Sequence, residues 1–274
     1  MTGQPRWDAD FPLIRLNGSG ARDFLQGQST ADLRNLVNGA PQRSCWLTAT
    51  GRLRALLEIR MDDAGADVLV LAGDAEAVAR GFDMVIFPAD RVRLGEVKTQ
   101  RRVQALTRDA STAWIDGDGQ LPTALSSSVA VGQNALEHWR LQLGFPPGPN
   151  EMNGETNPFE LGLSDLISLD KGCYLGQETM AKLAGKGGVK QQLRCWSSDQ
   201  PLNSGDQLKT GDQLKAGDER AGLITSTMST ASDVQIGLAL VRRQFLAQEH
   251  LKGPHGQKLR LSPPHWFQTP PALS

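Results

Sequence analysis

Beyond residue 190 the sequence breaks into short apolar runs, QLRCWSS (192–198), AGLITSTMS (221–229), IGLALVRR (236–243) and QKLRLS (257–262), with turn-forming residues between them. Runs this short bury an apolar face only by pairing with one another, so the last third of the chain is constrained to a small β-barrel or sandwich. Inside it the string GDQLK occurs at 205–209 and again at 211–215. Two copies are too few for a solenoid and read as an extended hairpin loop grown by local duplication.

The first two thirds has a different rhythm. FPLIRLNGSG (11–20) alternates like a strand, and the text after it has helical spacing through Phe24, Leu25, Leu33 and Leu36, with Ser19 and Thr30 as plausible helix N-caps. Three strand-like runs follow, RSCWLTAT (43–50), RLRALLEIR (52–60) and DVLVLAG (67–73), separated by the turn signals Gly51-Arg52 and MDDAGA. A helix from about Glu76 to Met84 leads into RVRLGEV and RRVQALT. That order predicts a mixed sheet with helices on one face, an α+β arrangement. NALEHWRLQLG (134–144) reads as a helix closed by Gly144, the Pro/Gly-rich FPPGPNEMNGETNP as loop, ELGLSDLIS (160–168) as a second helix, and YLGQETMAKLAG as the start of a third, closed by Gly185.

Composition removes several function classes. With 29 basic and 30 acidic residues and pI near 6.4, no overall field draws the chain to nucleic acid or lipid. Cys45, Cys173 and Cys195 are an odd number without CxxC spacing, which indicates neither a disulfide framework nor a zinc site and fits reduced thiols in the cytosol. Asp8 and Asp10 sit where a signal peptide needs an apolar core, and no run approaches the roughly 20 apolar residues of a membrane span. The expectation is a cytoplasmic protein with no membrane partner.

The chemistry concentrates in DKGCYLGQE (170–178). Lys171 precedes Cys173 by two positions and a helix begins just after it, and both a cation and a helix N-terminus favour thiolate over thiol. Gly172 and Gly176 permit backbone conformations or close approaches that a side chain forbids. Gln177 and Glu178 can donate to and accept from a polar ligand, or Glu178 can cap the helix start. On spacing alone, a structural cysteine in a tight loop accounts for the string equally well.

KGCYLGQE resembles the K-G-C-Y-x-G-Q-E signature of the YgfZ-type folate-binding proteins, the iron-sulfur-cluster maintenance relatives of the glycine-cleavage aminomethyltransferase, or T-protein. FLQGQSTADL (24–33), TGRLRALLEI (50–59), WRLQLGFP and GLALVRR resemble further strings of that family, so the likeness runs from about Phe11 to Leu261. It implies a T-protein-like fold: mixed α+β lobes around a central channel, with a C-terminal β-barrel. The corresponding boundaries are a folate-binding α+β region over 1–189, with two interleaved lobes split near 100, and a barrel domain over 190–274. It implies tetrahydrofolate, or a one-carbon derivative, as cofactor. A pterin needs a flat wall and polar partners at its ring edge, and a glutamate tail needs a cation. Phe11, Trp46 and Trp139 could supply walls, Gln28, Asp32 and Glu160 ring-edge partners, and Arg140 the tail partner. Trp46, in a strand pattern, suits the core better than a platform, while Asp32 equally suits the turn after Thr30, and Arg52 a facing carboxylate as well as a ligand. Trp139 and Arg140, being adjacent on a helix, point in different directions.

The T-protein carries an aspartate pair in the strand after its G-G; aligning Gly51-Arg52 there places Ala55 and Leu56 at the acid positions, with no carboxylate before Glu58. A methyl side chain neither accepts a proton nor stabilises a cation, so ordinary aminomethyl transfer is expected to be absent. The resemblance instead implies an accessory factor in iron-sulfur cluster assembly or repair, and indirectly in tRNA modification. Cys173 would be its working residue, with Lys171, Tyr174, Gln177 and Glu178 shaping the site. One cysteine cannot hold a four-iron cluster, so cluster contact would be shared with a client protein or the assembly machinery. The protein would act as a monomer without direct nucleic-acid contact. A folate-dependent one-carbon transferase is the alternative. A cysteine hydrolase using His138, His250, His255 or His265 is a third reading, without a motif to support it.

Overall fold

The computed structural model describes residues 3–107, 111–117, 119–185, 188–198, 209–230 and 234–270. These form two compact units, the first from 1–46, 55–139 and 171–174 and the second from 47–54, 140–170 and 175–274.

The first unit is built on a seven-stranded sheet. Its elements in chain order are β1 (Pro5–Asn17), α1 (Ala21–Gln28), β2 (Pro41–Leu47), β3 (Leu53–Asp62), β4 (Gly65–Gly73), α2 (Ala75–Asp83), β5 (Arg93–Ala105), β6 (Thr112–Ile115) and β7 (Val129–Ala130). The strands lie in the order β2-β3-β4-β1-β5-β6, and β7 pairs in parallel with the start of β1. β1 is long enough to be shared: Leu13–Asn17 pair with β4, while almost its whole length pairs with β5. Asp74 caps α2 by accepting from the amides of Glu76 and Ala77. α1 and α2 lay Phe24, Leu25, Val78 and Phe82 on one face of the sheet, against Ile14, Leu57, Ile59 and Val68. Each such side chain contributes about 1.5–3 kcal/mol by leaving water.

Period-two alternation sends Ala55, Leu57, Ile59 and Met61 of β3 into that core and Glu58 to the other face. There Glu58 accepts both arms of the Arg102 guanidinium at 2.9 Å and the Trp114 indole N–H at 2.6 Å. RVRLGEV and RRVQALT are thus not two strands but the single β5.

α3 (Gln133–Leu143) starts in the residues of the first unit and runs into those of the second, where Gly144, with a φ of 72°, stops it, and α4 (Gln177–Gly185) of the second unit ends at the predicted glycine. The barrel follows: β8 (Gln191–Ser198), β9 (Gln213–Ala216), β10 (Glu219–Ser229), β11 (Gln235–Arg242), β12 (His250–Lys252) and β13 (Lys258–Ser262). It closes in the order β10-β11-β8-β13-β12-β9. Trp196, Leu214, Ile224, Ala239, Val241, Leu251 and Leu259 fill it. Gly237 is required where β11 crosses Trp196, since a Cβ there would lie 1.9 Å from the Ser226 carbonyl oxygen and 2.7 Å from the indole.

Three local expectations are corrected. The helix through Leu36 stops at Gln28, because the Ser44 hydroxyl takes the amides of Thr30 and Ala31 and Thr30 accepts from the Cys45 amide, so Thr30 is no N-cap. Its start is capped by Gly20 without a side-chain bond, so Ser19 does not serve either. ELGLSDLIS forms only a 3-10 turn at Ser164–Leu166; Gly162 has φ 75° and lies under Phe267, which breaks an α-helix. Of the GDQLK repeat, the second copy enters β9, while the first lies outside the described residues except for Lys209.

Candidate functional site

The first half of the DKGCYLGQE segment belongs to the first unit. Lys171 is 3% exposed, and its ammonium donates to the carbonyls of Ser29 and Ala31, each at 2.6 Å. It also lies 5.0 Å from the centroid of the Tyr174 ring. Burial pushes its pKa down to about 8, with Asp32 opposing and Arg34 reinforcing the shift. The loop it clamps is the FLQGQSTAD string: Gln26 accepts from the Leu33 amide and donates to Asp32, and Asp32 takes both the side chain and the amide of Arg34. Those donors hold the Asp32 carboxyl well below the usual range. Gln28 is half-buried at the end of α1. Tyr174 is buried with no hydrogen-bond partner for its hydroxyl, and burial raises its pKa to about 12. Cys173 and Gly172 are exposed, and a Cβ at Gly172 would meet nothing within 4 Å. Cys45 is buried, and Cys195 donates to the Leu141 carbonyl with its pKa raised by burial to about 12. Among the described residues Cys173 is thus the exposed thiol, Cys195 being half-buried.

The second half of the segment belongs to the second unit. Gly176 has φ 86°, and a Cβ on it would lie 2.7 Å from the Thr48 carbonyl oxygen; conformation and space both demand glycine. Residues 48–52 form a tight turn, with the Thr48 amide donating to the Arg52 carbonyl at 2.9 Å, and Gly51 packs on Thr179 in the first turns of α4. Gln177 is half-buried, while exposed Glu178 pairs with Lys182 at 2.6 Å, one helical turn on.

Arg52 leads from this turn into a cavity of about 390 Å³ lined also by Glu160, Lys190, Gln191, Arg242, Arg243 and Gln244. Its walls are fixed by backbone pairing: the Leu53 amide donates to Thr156, the Leu193 amide to Glu160, and the Arg243 amide to Lys190. Arg52 donates to the Glu155 carbonyl. Glu160, 4% exposed, accepts from the Asn157 amide at 3.1 Å. Burial raises its carboxyl pKa against the opposing pull of the Asn157 and Gln191 bonds and of Arg52 and Lys190. The cavity thus has a buried acid and an amide at its floor and exposed cations at its rim. Lys190, Arg242 and Arg243 escape sequence reasoning, because the pairing of β8 with β11 assembles them from positions some fifty residues apart; the GLALVRR string was the available signal.

The remaining candidates lie elsewhere. Arg140 is committed to Glu151 at 3.2 Å and Ser226 at 3.0 Å, and Glu151 is wholly buried. Trp139 is half-buried on α3. Phe11 is buried in β1, edge-on to Trp7 at 5.2 Å. Trp46 packs edge-on to Phe82 at 5.9 Å in the first unit's core. Ala55 and Leu56 are fully buried. Among the described residues no three His, Cys, Asp or Glu side chains cluster to hold a metal, and no helix is long and apolar enough to cross a membrane.

No protein-family model matches the sequence. The fold is that of the aminomethyltransferases: the glycine cleavage system aminomethyltransferase T from Bartonella henselae superposes with a TM-score of 0.74 at 16% identity, covering 99% of this chain and 88% of that one. A chloroplastic protein of Arabidopsis thaliana is 25% identical over 67% of this chain, which spans only 53% of that protein's length. The tRNA-modifying protein YgfZ of Klebsiella pneumoniae is 26% identical, over 67% of this chain and 68% of its own. That of Colwellia psychrerythraea is 36% identical over 239 residues, covering 72% of this chain and 73% of its own. With that identity over that length, the chain belongs to the YgfZ family.

Proposed function

We propose that the protein binds a reduced folate in the Arg52–Glu160 cavity and serves as an accessory factor for iron-sulfur proteins, and through them for tRNA modification, with Cys173 as its working thiol. The observation that carries this reading is the grading of the cavity. Glu160 and Gln191 offer acceptors and donors suited to a pterin edge, while Arg52 and the rim cations suit the carboxylates of a glutamate tail. When bound, the folate would supply one-carbon chemistry, and Glu160, Gln191 and Arg52 would orient it. The exposure of the Cys173 thiol leaves it open to a client. Aliphatic Ala55 and Leu56 and the engagement of Glu58 by Arg102 favour an accessory role over aminomethyl transfer. The family relatives named as tRNA-modifying agree.

Calorimetric titration with tetrahydrofolate should saturate for the wild type and weaken by at least about tenfold in Arg52→Ala, the scale of one lost hydrogen bond to a charged group. Cys173→Ala should melt like the wild type yet fail to restore a deletion strain. Full restoration by that variant removes the thiol from the function, and absence of saturation removes the folate.

A further inference from the structure

We infer that the rim of this cavity selects folates bearing a poly-γ-glutamate tail over the monoglutamate, an inference that rests on the folate reading above. The chain as a whole carries a formal charge of −1, yet four cations, Arg52, Lys190, Arg242 and Arg243, line one cavity with a single carboxylate, Glu160. Glu160 is buried at the floor, whereas Lys190, Arg242 and Arg243 are exposed. The three are not loosely scattered. β8–β11 register sets Gln191 opposite Arg242, and the Arg243 amide donates to the Lys190 carbonyl at 2.9 Å, so backbone pairing holds them on one edge of the barrel. The Arg243 guanidinium reaches over Gly188, 3.7 Å from where a Cβ would stand. Among the described residues neither Arg242 nor Arg243 is engaged by a carboxylate.

A folate monoglutamate ends in two carboxylates, fewer than the rim offers partners for. Each further γ-linked glutamate adds an α-carboxylate at the end that points outward. Single exposed ion pairs are weak, but several on one fixed edge act together and are screened by salt. An RNA backbone is the other polyanion such a rim could meet. The continuity of the rim with a polar floor inside one cavity, rather than a stripe of cations along a surface, favours the folate tail.

The test is anaerobic calorimetry of the full chain with tetrahydrofolate monoglutamate and pentaglutamate at low and high salt. It is repeated on Arg242→Gln/Arg243→Gln, whose exposed positions spare the fold; melting temperature verifies this. At low salt the pentaglutamate should bind about tenfold tighter, about 1.4 kcal/mol. That ratio should shrink at high salt and fall towards one in the double variant. A ratio near one in the wild type, or one that persists in the double variant, overturns the inference while leaving folate binding in place. Binding of neither folate overturns the folate reading and this inference with it. If an unmodified tRNA transcript binds through Arg242 and Arg243 while tail length has no effect, the rim is an RNA contact and the inference is wrong.

Discussion

Each unit buries a glutamate near arginine, and the two fare oppositely. In the first unit Glu58, 1% exposed, receives both arms of Arg102, the Trp114 indole and the more distant Arg43 at 3.5 Å. Burial alone would raise its pKa, but those donors outweigh it and the carboxyl lies below its usual value. In the second unit Glu160 is nearly as buried and has Arg52 and Lys190 near, but none of them forks onto it, and burial wins. A buried acid whose lone pairs are filled by its own protein is architecture. One left partly unfilled at the floor of a cavity has donors still to accept from, and that is the physical ground for placing ligand chemistry at Glu160.

The sharpest way to break the comparison is to remove the fork. Arg102→Ala leaves the Glu58 charge buried beside too few donors and should cost about 3–5 kcal/mol in urea denaturation. A loss below about 1 kcal/mol would mean that Glu58 is already neutral or hydrated and that the contrast with Glu160 is false. Arg140→Ala tests the same rule at intermediate strength. Arg140 shares Glu151 with the Gly148 amide and the Ser226 hydroxyl, which remain, so the cost should be about 1.5–3 kcal/mol. An Arg140 variant that keeps its stability but loses folate affinity would instead return Arg140 to the ligand.

These two arginines also show what the sequence could and could not reveal. Alternation made β1, β3, β4 and the barrel strands β8, β10, β11 and β13 legible, because a strand's period is a local property, whereas β9, inside the GDQLK repeat, and the three-residue β12 are too short to show one. Fold class and the family strings were legible too. The partner of an arginine is not local: nothing near WRLQLG announces Glu151 or Ser226, and nothing near Glu58 announces Arg102, which β1 and β4 separate from it in the sheet. Helical spacing failed at 30–36 for the same reason, since Ser44 takes the amides that a helix would have used. The strings FLQGQSTAD and KGCY stand far apart in the chain, yet Lys171 joins them through the Ser29 and Ala31 carbonyls, so part of what reads as a ligand motif is a clamp.

That clamp gives the third prediction. Lys171 titrates near 8 in the folded protein against 10.5 in the unfolded chain. Between those values the unfolded chain holds the proton more tightly, so wild-type stability should rise with pH across the window. Lys171→Met has no such proton. Its stability relative to wild type should therefore decline from pH 8 to 10.5, by about 1–2 kcal/mol at most, while the reactivity of Cys173 toward iodoacetamide changes as the loop loosens. A flat difference across that range would mean that the amine is not buried as a cation.

The smallest effect is the most diagnostic. The folded Glu160 carboxyl titrates above the unfolded value of 4.5, so the folded chain binds its proton more tightly. The stability this proton provides is complete below about pH 4.5 and is lost as pH rises through the folded value. Glutamine stays neutral and still accepts from the Asn157 amide, so Glu160→Gln should match the wild type near pH 4 and exceed it slightly, by up to about 1 kcal/mol, at pH 7. Glu58→Gln must do the reverse. Its lowered carboxyl provides stability above 4.5 that the amide cannot replace, and that difference should vanish as pH falls through the folded value. Opposite slopes in urea denaturation at pH 4, 5.5 and 7 would separate a filled acid from an unfilled one. If Glu160→Gln is instead the less stable protein at neutral pH, Glu160 is a second Glu58, and the cavity loses the group that distinguishes it from a surface cleft.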